Sequence, residues 1–516
     1  MLDTMRGGTP WWTKTDINGY FGLFSNVLTN FLAAIGLLVL IGMPGTIVFG
    51  TIVPGTAIAV GFGGILLAIQ AKRLGTRTGK SDVTAMPYGL SVPHYFAVAF
   101  GVIGVVYSAT GDWTVAWATG VVWNLIQGLI MAAGAFIGIY IKRWIPRAAM
   151  LGALAGLAIT YIAMNPAGSV FATPYIGMMS MAIVFAGWLA LKKMPFRIPA
   201  GAFAIILGTI LAWVTGHMNP AEVTQSLSDI GVSLPSFTFH LFAVGFEQIA
   251  PFLPAAIPLA IYDFIESLDN LESAEAEGEK YNVPKAMMVP AGLTILGSFL
   301  GSPFPTIIYI GHPGWKAAGA HVGYSWLTGV SVLVIAFIGL LNLVLSIIPL
   351  VALFPILMYI GMVIVTQAFA TTEQRHMPAV ALSFMPLIAG FVSLNIRNAI
   401  NAVGGTVDYD VLAAEGIPLL GWERLSGGDI LVGMVLASIV VFLIDRQFLK
   451  AAVYSLAASV LSFFGFLHAA EIGIGTGSEA ALGYLVFGAV MLAMHFYRSE
   501  DNVMPAGTAA GETENP

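Results

Sequence analysis

Apolar runs of membrane-crossing length follow one another along almost the whole chain, and they leave no interval large enough for a soluble domain. A bilayer core of about 30 Å needs about 20 predominantly apolar residues per helix. Runs of that order occupy 23–47, 51–71, 86–108, 115–141, 148–164, 170–191 and 200–216. A second set occupies 251–274, 286–302, 304–320, 322–348, 350–370, 378–394 and 430–444, and two further runs, 451–469 and 480–497, follow it. Only 9% of the residues are charged and the mean hydropathy is +0.86, against about 25% charged residues in a soluble domain. The expected fold class is an all-α polytopic membrane protein.

The expected organisation is a cytoplasmic N-terminus (1–22), a first seven-span repeat (23–216) and an external loop with an interfacial helix (217–250). A second seven-span repeat (251–444) carries an external loop at 395–428. Two additional spans (451–497) and a disordered cytoplasmic tail (498–516) complete it. Trp11 and Trp12 read as an interfacial anchor. The first 20 residues lack the apolar core of a cleavable signal. Basic residues cluster after even-numbered spans: Lys72, Arg73, Arg77 and Lys80; Lys142, Arg143 and Arg147; Lys192, Lys193 and Arg197; Lys280 and Lys285. Asp112, Glu222 and Asp229 fall in the odd-numbered loops. By the positive-inside bias both termini are cytoplasmic, in an inner membrane. An odd number of spans per half inverts the halves with respect to each other, as in many secondary transporters.

Composition also excludes chemistry. The chain has no cysteine, so disulfides, thiolate metal sites and cysteine nucleophiles are ruled out together. The net charge of -6 gives no reason to expect a nucleic-acid partner. Neither HExxH nor GxxxxGK[ST] occurs, which argues against an intramembrane zinc enzyme and a built-in nucleotide hydrolase. No cofactor and no metal are expected.

Two segments break the helical pattern at the third position of each half. One reads Met86-Pro87-Tyr88-Gly89-Leu90-Ser91-Val92-Pro93-His94, the other Ser302-Pro303-Phe304-Pro305-Thr306-Ile307-Ile308-Tyr309-Ile310-Gly311-His312-Pro313-Gly314. Proline removes a backbone donor and disfavours helix at the residue before it. Both segments are therefore expected to be extended until short helices begin near His94 and His312. Extended backbone at membrane depth is tolerated only inside protein or along a cavity. Paired interruptions of this kind point to a transporter's binding site.

Between them lies the acid-bearing run, with Asp263, Glu266 and Asp269 at three-residue spacing. An ionisable group at membrane depth costs roughly 2.5–3.5 kcal/mol on insertion scales, so such groups mark substrate or ion pathways. Three ionised acids on one helical stripe repel. Asp269 is expected near the cytoplasmic mouth, and Glu272, Glu275, Glu277 and Glu279 in a solvated helix end.

These motifs resemble the nucleobase/ascorbate transporter family, the xanthine/uracil and hypoxanthine/guanine permeases, over roughly 23–444. The likeness rests on Ala34-Ile35-Gly36, on Pro87-Tyr88-Gly89, on Tyr262-Asp263-Phe264-Ile265-Glu266-Ser267-Leu268-Asp269-Asn270-Leu271, and on the Pro/Thr/Tyr segment of span ten. The resemblance implies a 7+7 inverted-repeat fold with short strands in spans three and ten, and a homodimer. It also implies a proton- or sodium-coupled symporter of purine- or pyrimidine-like nucleobases, with Glu266 binding substrate and coupling the ion. Asn270 and Asn30 fall where family members carry polar residues or histidine. Span ten departs from the family in having no acid after Tyr309.

Substrate-binding candidates are thus Glu266, Asn270, His312, Ser91, Thr306, Tyr309 and Asn30, and ion-coupling candidates Glu266 and Asp263. Secondary candidates are Lys316, His94 and Asp269. His312 and Lys316, one turn apart, read either as positive charge for an anionic substrate or as a snorkelling or Asp269-paired lysine. The alternative cargo is therefore a small organic or inorganic anion.

Overall fold

In the computed structural model, residues 8–497 are described except 142, 143, 196, 197, 199, 229 and 310. Lys142, Arg143, Arg197, Asp229 and the expected tail 498–516 lie outside the described residues.

The chain folds as two helical halves, each with a short strand after its first two long helices, and two further helices follow. In the first half, α1 spans Asp16–Leu40, α2 Gly45–Thr78, β1 Tyr88–Leu90 and α3 Val92–Thr110. They are followed by α4 Trp113–Ile141, α5 Arg147–Ala172, α6 Pro174–Trp188 and α7 Ala200–Val214. Helices α8 (Pro220–Ser228) and α9 (Leu241–Gln248) link the halves. The second half runs α10 Leu253–Ala276, α11 Val283–Phe299, β2 Thr306–Ile308, α12 His312–Ala317 and α13 Gly323–Phe337. It continues through α14 Leu340–Ile347, α15 Leu350–Ala370 and α16 Met377–Ala402. Short helices α17 (Tyr409–Ala414) and α18 (Leu419–Ser426) precede α19 (Asp429–Ile444), α20 (Phe448–Phe463) and α21 (Ser478–Phe496). Among the described residues, nine helices are long and apolar enough to cross a membrane, or eleven if α13–α14 and α18–α19, bent by 82° and 80°, each count as one span. Leu482, Val486 and Val490 of α21 stay exposed, as suits a helix against lipid.

The helices sort into two bundles. In one, α4 packs on α10 and α11, α2 on α11 and α13, and α1 on α13. In the other, α16 packs on α5, α18 and α19, and α15 on α5 and α6. Close approach in the first bundle depends on glycine: a Cβ at Gly61 of α2 would lie 2.9 Å from the Gly329 carbonyl of α13.

The prolines work as the sequence implies. Pro87 and Pro305 flank extended backbone, and β1 and β2 pair antiparallel with Tyr88 opposite Ile308 and Leu90 opposite Thr306. Flanking bonds lengthen the ladder: Ser91 N–H donates to Pro305 O at 2.9 Å and Tyr309 N–H to Pro87 O at 2.8 Å. Buried extended backbone is thereby satisfied without water. The half-helices that follow are unequal. Val92–Thr110 runs 19 residues, widened by a π-helical stretch at Ala97–Gly104. Span ten is extended before a short helix that begins at His312, as expected. After Gly311 (φ 112°), α12 lasts six residues and ends at a turn through Gly319 (φ 79°).

Candidate functional site

The paired strands, the first turn of α3 and the acid face of α10 meet inside the first bundle. Asp263 is fully buried; its Oδ1 accepts from Ser91 Oγ at 2.8 Å and its Oδ2 lies 3.2 Å from His94 Nδ1. His94 Nε2 faces Gln127 Oε1 of α4 at 3.1 Å. Ser91 is the residue between β1 and α3, and its hydroxyl, engaged with Asp263, does not cap the helix. The N–H groups of Val92 and His94 at the open first turn have no intrahelical acceptor, as at any helix start.

Glu266, one turn beyond Asp263, is only partly buried and lies beside the Tyr262 hydroxyl. Tyr262 faces an apolar seam against the second bundle, formed with Leu259 of α10, Met150 and Leu157 of α5 and Met434 of α19. Glu266 is therefore the acid of α10 that sits where the two bundles meet.

Asn30 of α1 ties both broken segments together. Its Nδ2 donates to Tyr309 Oη at 3.2 Å and to Asn26 Oδ1 at 2.9 Å, and its Oδ1 accepts from Tyr95 Oη at 3.4 Å. Tyr309 Oη donates to Leu90 O at 2.8 Å. Asn270 donates to the Ile308 carbonyl at 2.9 Å, holding β2 against α10. Thr306 turns away from Asp263 and towards α11: its hydroxyl meets Tyr88 Oη at 2.5 Å and Thr294 Oγ1 at 3.1 Å.

His312 and Lys316 belong to a separate cluster. Glu279, expected in a solvated helix end, is instead buried, because it gathers hydrogens from three directions. Lys316 Nζ lies 2.6 Å from its Oε1 and His312 Nε2 3.0 Å from its Oε2. The Thr84 N–H donates to the same carboxylate at 3.0 Å. Lys316 thus pairs with Glu279, and its charge is spent on holding the segment before β1 to α12. Asp269 is half-buried on the α10 face between the two clusters. The structure brings Ser91, His94 and Asp263 together, leaves Glu266 one turn further along α10 beside Tyr262, joins Asn30 to Tyr309, and sets His312 and Lys316 apart.

Sequence reasoning missed Gln127, Tyr95 and Glu279. Gln127 carried a signal, since with Asn124 it is a polar residue inside the apolar run of α4. Glu279 carried none that separated it from its acidic neighbours. Among the described residues no group of three His, Cys, Asp or Glu side chains could hold a metal ion.

At the end of the bundle contact remote from Glu279, an open cleft lies between α3, α5 and α16. Tyr107 and Ser108 line one wall, and Tyr161, Asn165, Asn395 and Asn398 the other. Both long walls carry π-helical turns, at Ala97–Gly104 and Ala158–Met164, a distortion frequent at functional sites.

No family model matches the chain, and no curated protein matches it. Solved structures do. The transmembrane domain of a cyanobacterium bicarbonate transporter, BicA, aligns with a TM-score of 0.53 and 16% identity, over 76% of this chain and 100% of that one. The overall structure of SLC26A9 aligns with a TM-score of 0.50 and 12% identity, over 75% of this chain and 65% of that one. A murine Solute Carrier 26 family member A9 anion transporter in the inward-facing state gives 0.48 and 12%, over 76% of this chain and 69% of that one. These neighbours are transporters and not enzymes, and they share the multi-pass 7+7 fold. They correct the resemblance to nucleobase/ascorbate permeases. The structures that share the fold here are a bicarbonate transporter and SLC26A9.

Proposed function

We propose that the chain is a secondary active transporter that carries a small anion, of the bicarbonate or carboxylate class, across a lipid bilayer together with a cation. The observation that carries this reading is the place where α3 begins. A 19-residue helix starts directly from the paired strands, and a helix N-terminus offers about half a positive charge and free N–H groups to an anion. The acids nearby are arranged to tolerate it. Asp263 has His94 Nδ1 3.2 Å away, and 302–314 contains no acid at all. An anion beside Asp263 and Glu266 is repelled unless a cation arrives with it. That requirement is the physical basis for coupling. The fold likeness to BicA over that domain's full length supports the same cargo class.

The two bundles supply the moving parts. The strands are hydrogen-bonded to each other within one bundle, while an apolar seam and the open cleft lie between bundles. Movement of one bundle against the other exposes the strand ends to either side in turn. We place the end bearing Lys72, Arg73, Arg77, Lys280 and Lys285 in the cytoplasm, and the cleft outside. Thermal melting in detergent tests the cargo. A ligand at 100 times its Kd stabilises by about 2.7 kcal/mol, so bicarbonate, fumarate or sulfate should raise the Tm. Failure of all three, with flux of none of them into proteoliposomes, overturns the anion reading.

A further inference from the structure

His94 is a fully buried imidazole in the first turn of α3, with a neighbour at each ring nitrogen. Gln127 Nε2 donates to the Ala256 carbonyl at 2.9 Å, which accepts only, so Gln127 turns its oxygen to His94 Nε2. His94 Nε2 therefore carries a hydrogen, and any proton His94 gains or loses is on Nδ1. That atom lies 2.8 Å from Ser91 Oγ and 3.2 Å from Asp263 Oδ2, while Ser91 Oγ lies 2.8 Å from Asp263 Oδ1.

The hydrogens in this cluster can be counted. With Nδ1 protonated, Ser91 donates to Oδ1, Nδ1–H donates to Ser91 Oγ and lies 3.2 Å from Oδ2, and imidazolium and carboxylate cancel. With Nδ1 bare, the one Ser91 hydrogen can serve Nδ1 or Oδ1 but not both. Asp263 is then a buried carboxylate without a counter-charge, which is costly. Asp263 Oδ2 has no hydrogen-bond partner among the described residues, so the His94 proton is the one that compensates it. The charged residues on the elements packed around His94 are Asp263, Glu266, Asp269, Glu272 and Glu275 of α10, the last two beyond Asp269 towards the end of the helix. Helix α4 carries none, α1 only Asp16 at its first position, and the π-helical turn of α5 none.

We propose that the His94–Asp263 pair is the transporter's proton site, with His94 Nδ1 the atom that is loaded and unloaded. The inference rests on the transport reading above and names its coupling ion. Ser91 is the connection. Its hydroxyl turns towards Asp263 when the proton is present and towards His94 when it is absent, and it sits where α3 meets the anion. Anion binding and protonation thereby favour the same arrangement. Nδ1 accepts the proton from one side of the membrane and returns it to the other, and no bond other than N–H forms or breaks.

The test uses full-length protein in proteoliposomes with [35S]sulfate, [14C]fumarate and [14C]bicarbonate as probes. Each is assayed for counter-exchange and for accumulation under a one-unit inward proton gradient. Wild type should accumulate the probe it exchanges by up to about tenfold, the ratio one proton per anion supports. His94→Gln should keep the exchange and lose the accumulation. Undiminished accumulation in His94→Gln overturns the proposal, as does wild-type accumulation driven by a sodium gradient at equal pH. Ring-15N-histidine spectra in detergent are independent of cargo and cover a His94→Gln that fails to fold. The buried ring, recognised by the slow exchange of its Nε2 hydrogen, should carry a proton on Nδ1 at pH 7 in wild type and lose it in Asp263→Asn. An Nδ1 signal unmoved by Asp263→Asn overturns the proton site. If no probe is exchanged, the anion reading falls while the nitrogen spectra still decide this one.

Discussion

Lys316 Nζ lies 2.6 Å from Glu279 Oε1, and the carboxylate it serves has no exposed side-chain surface while the lysine keeps 21%. The pair joins the end of α10 to α12, with His312 closing the other oxygen. Breaking a buried pair from one side strands the remaining charge and costs roughly 3–5 kcal/mol. Lys316→Ala should therefore lower the detergent Tm strongly, and Lys316→Met with Glu279→Gln should recover part of the loss. A Lys316→Ala protein that melts like wild type would make the pair a surface contact.

Glu266 makes the opposite prediction, since it lies where the bundles meet and is only partly buried. Glu266→Gln preserves shape and removes the charge an anion must face. Melting should change by no more than about 1 kcal/mol, the scale of a single neutral hydrogen bond. Binding of fumarate or bicarbonate should tighten by about tenfold or more at neutral pH, as expected when a like charge is removed at close range. Isothermal titration at two pH values checks it, and unchanged affinity removes Glu266 from the site.

Gly61 and Gly292 separate contact glycines from incidental ones. A Cβ at Gly61 would lie 2.9 Å from the Gly329 carbonyl, and one at Gly292 meets nothing within 4 Å. Gly61→Ala should destabilise by about 1–3 kcal/mol through overpacking. Gly292→Ala should be neutral or stabilising by about 0.5–1 kcal/mol, from helix propensity. Paired melting curves decide.

Tyr409 supplies a pH test outside the spans. Its hydroxyl donates to Glu423 Oε2 at 2.8 Å, and this bond to a carboxylate holds the phenol above its ordinary range. A folded-state value raised above the unfolded one contributes stability below the unfolded value, near pH 10, and that contribution fades as pH rises through the folded value. Glu423→Gln should return the Tyr409 ultraviolet titration to the ordinary range. Both side chains are half-buried, so loss of the bond should cost about 1 kcal/mol.

The chain spells out its breaks more clearly than its cargo. Pro87 and Pro305 mark the extended segments because proline acts locally, and the pairing of β1 with β2 follows once both must satisfy their backbone away from water. The six-residue length of α12 was legible only in hindsight, through Gly311 and Gly319 in positive φ. Glu279 was hidden because burial is decided by what folds over a residue, and Thr84 and Lys316 are far from it in sequence. The eighth-span motif misdirected the family assignment because a short local motif does not separate proteins that share this fold at 12–16% identity.

The antiparallel ladder also sets a timetable for biogenesis. Tyr88 and Thr306 are 218 residues apart, and synthesis at about 5–20 residues per second separates them by roughly 10–40 s. Throughout that interval the first half holds an extended, unpaired segment and a lone buried histidine in the bilayer. The nascent chain must wait for its own second half, so truncation or stalling before β2 leaves a product with exposed backbone at membrane depth, a form that quality-control proteases are suited to find.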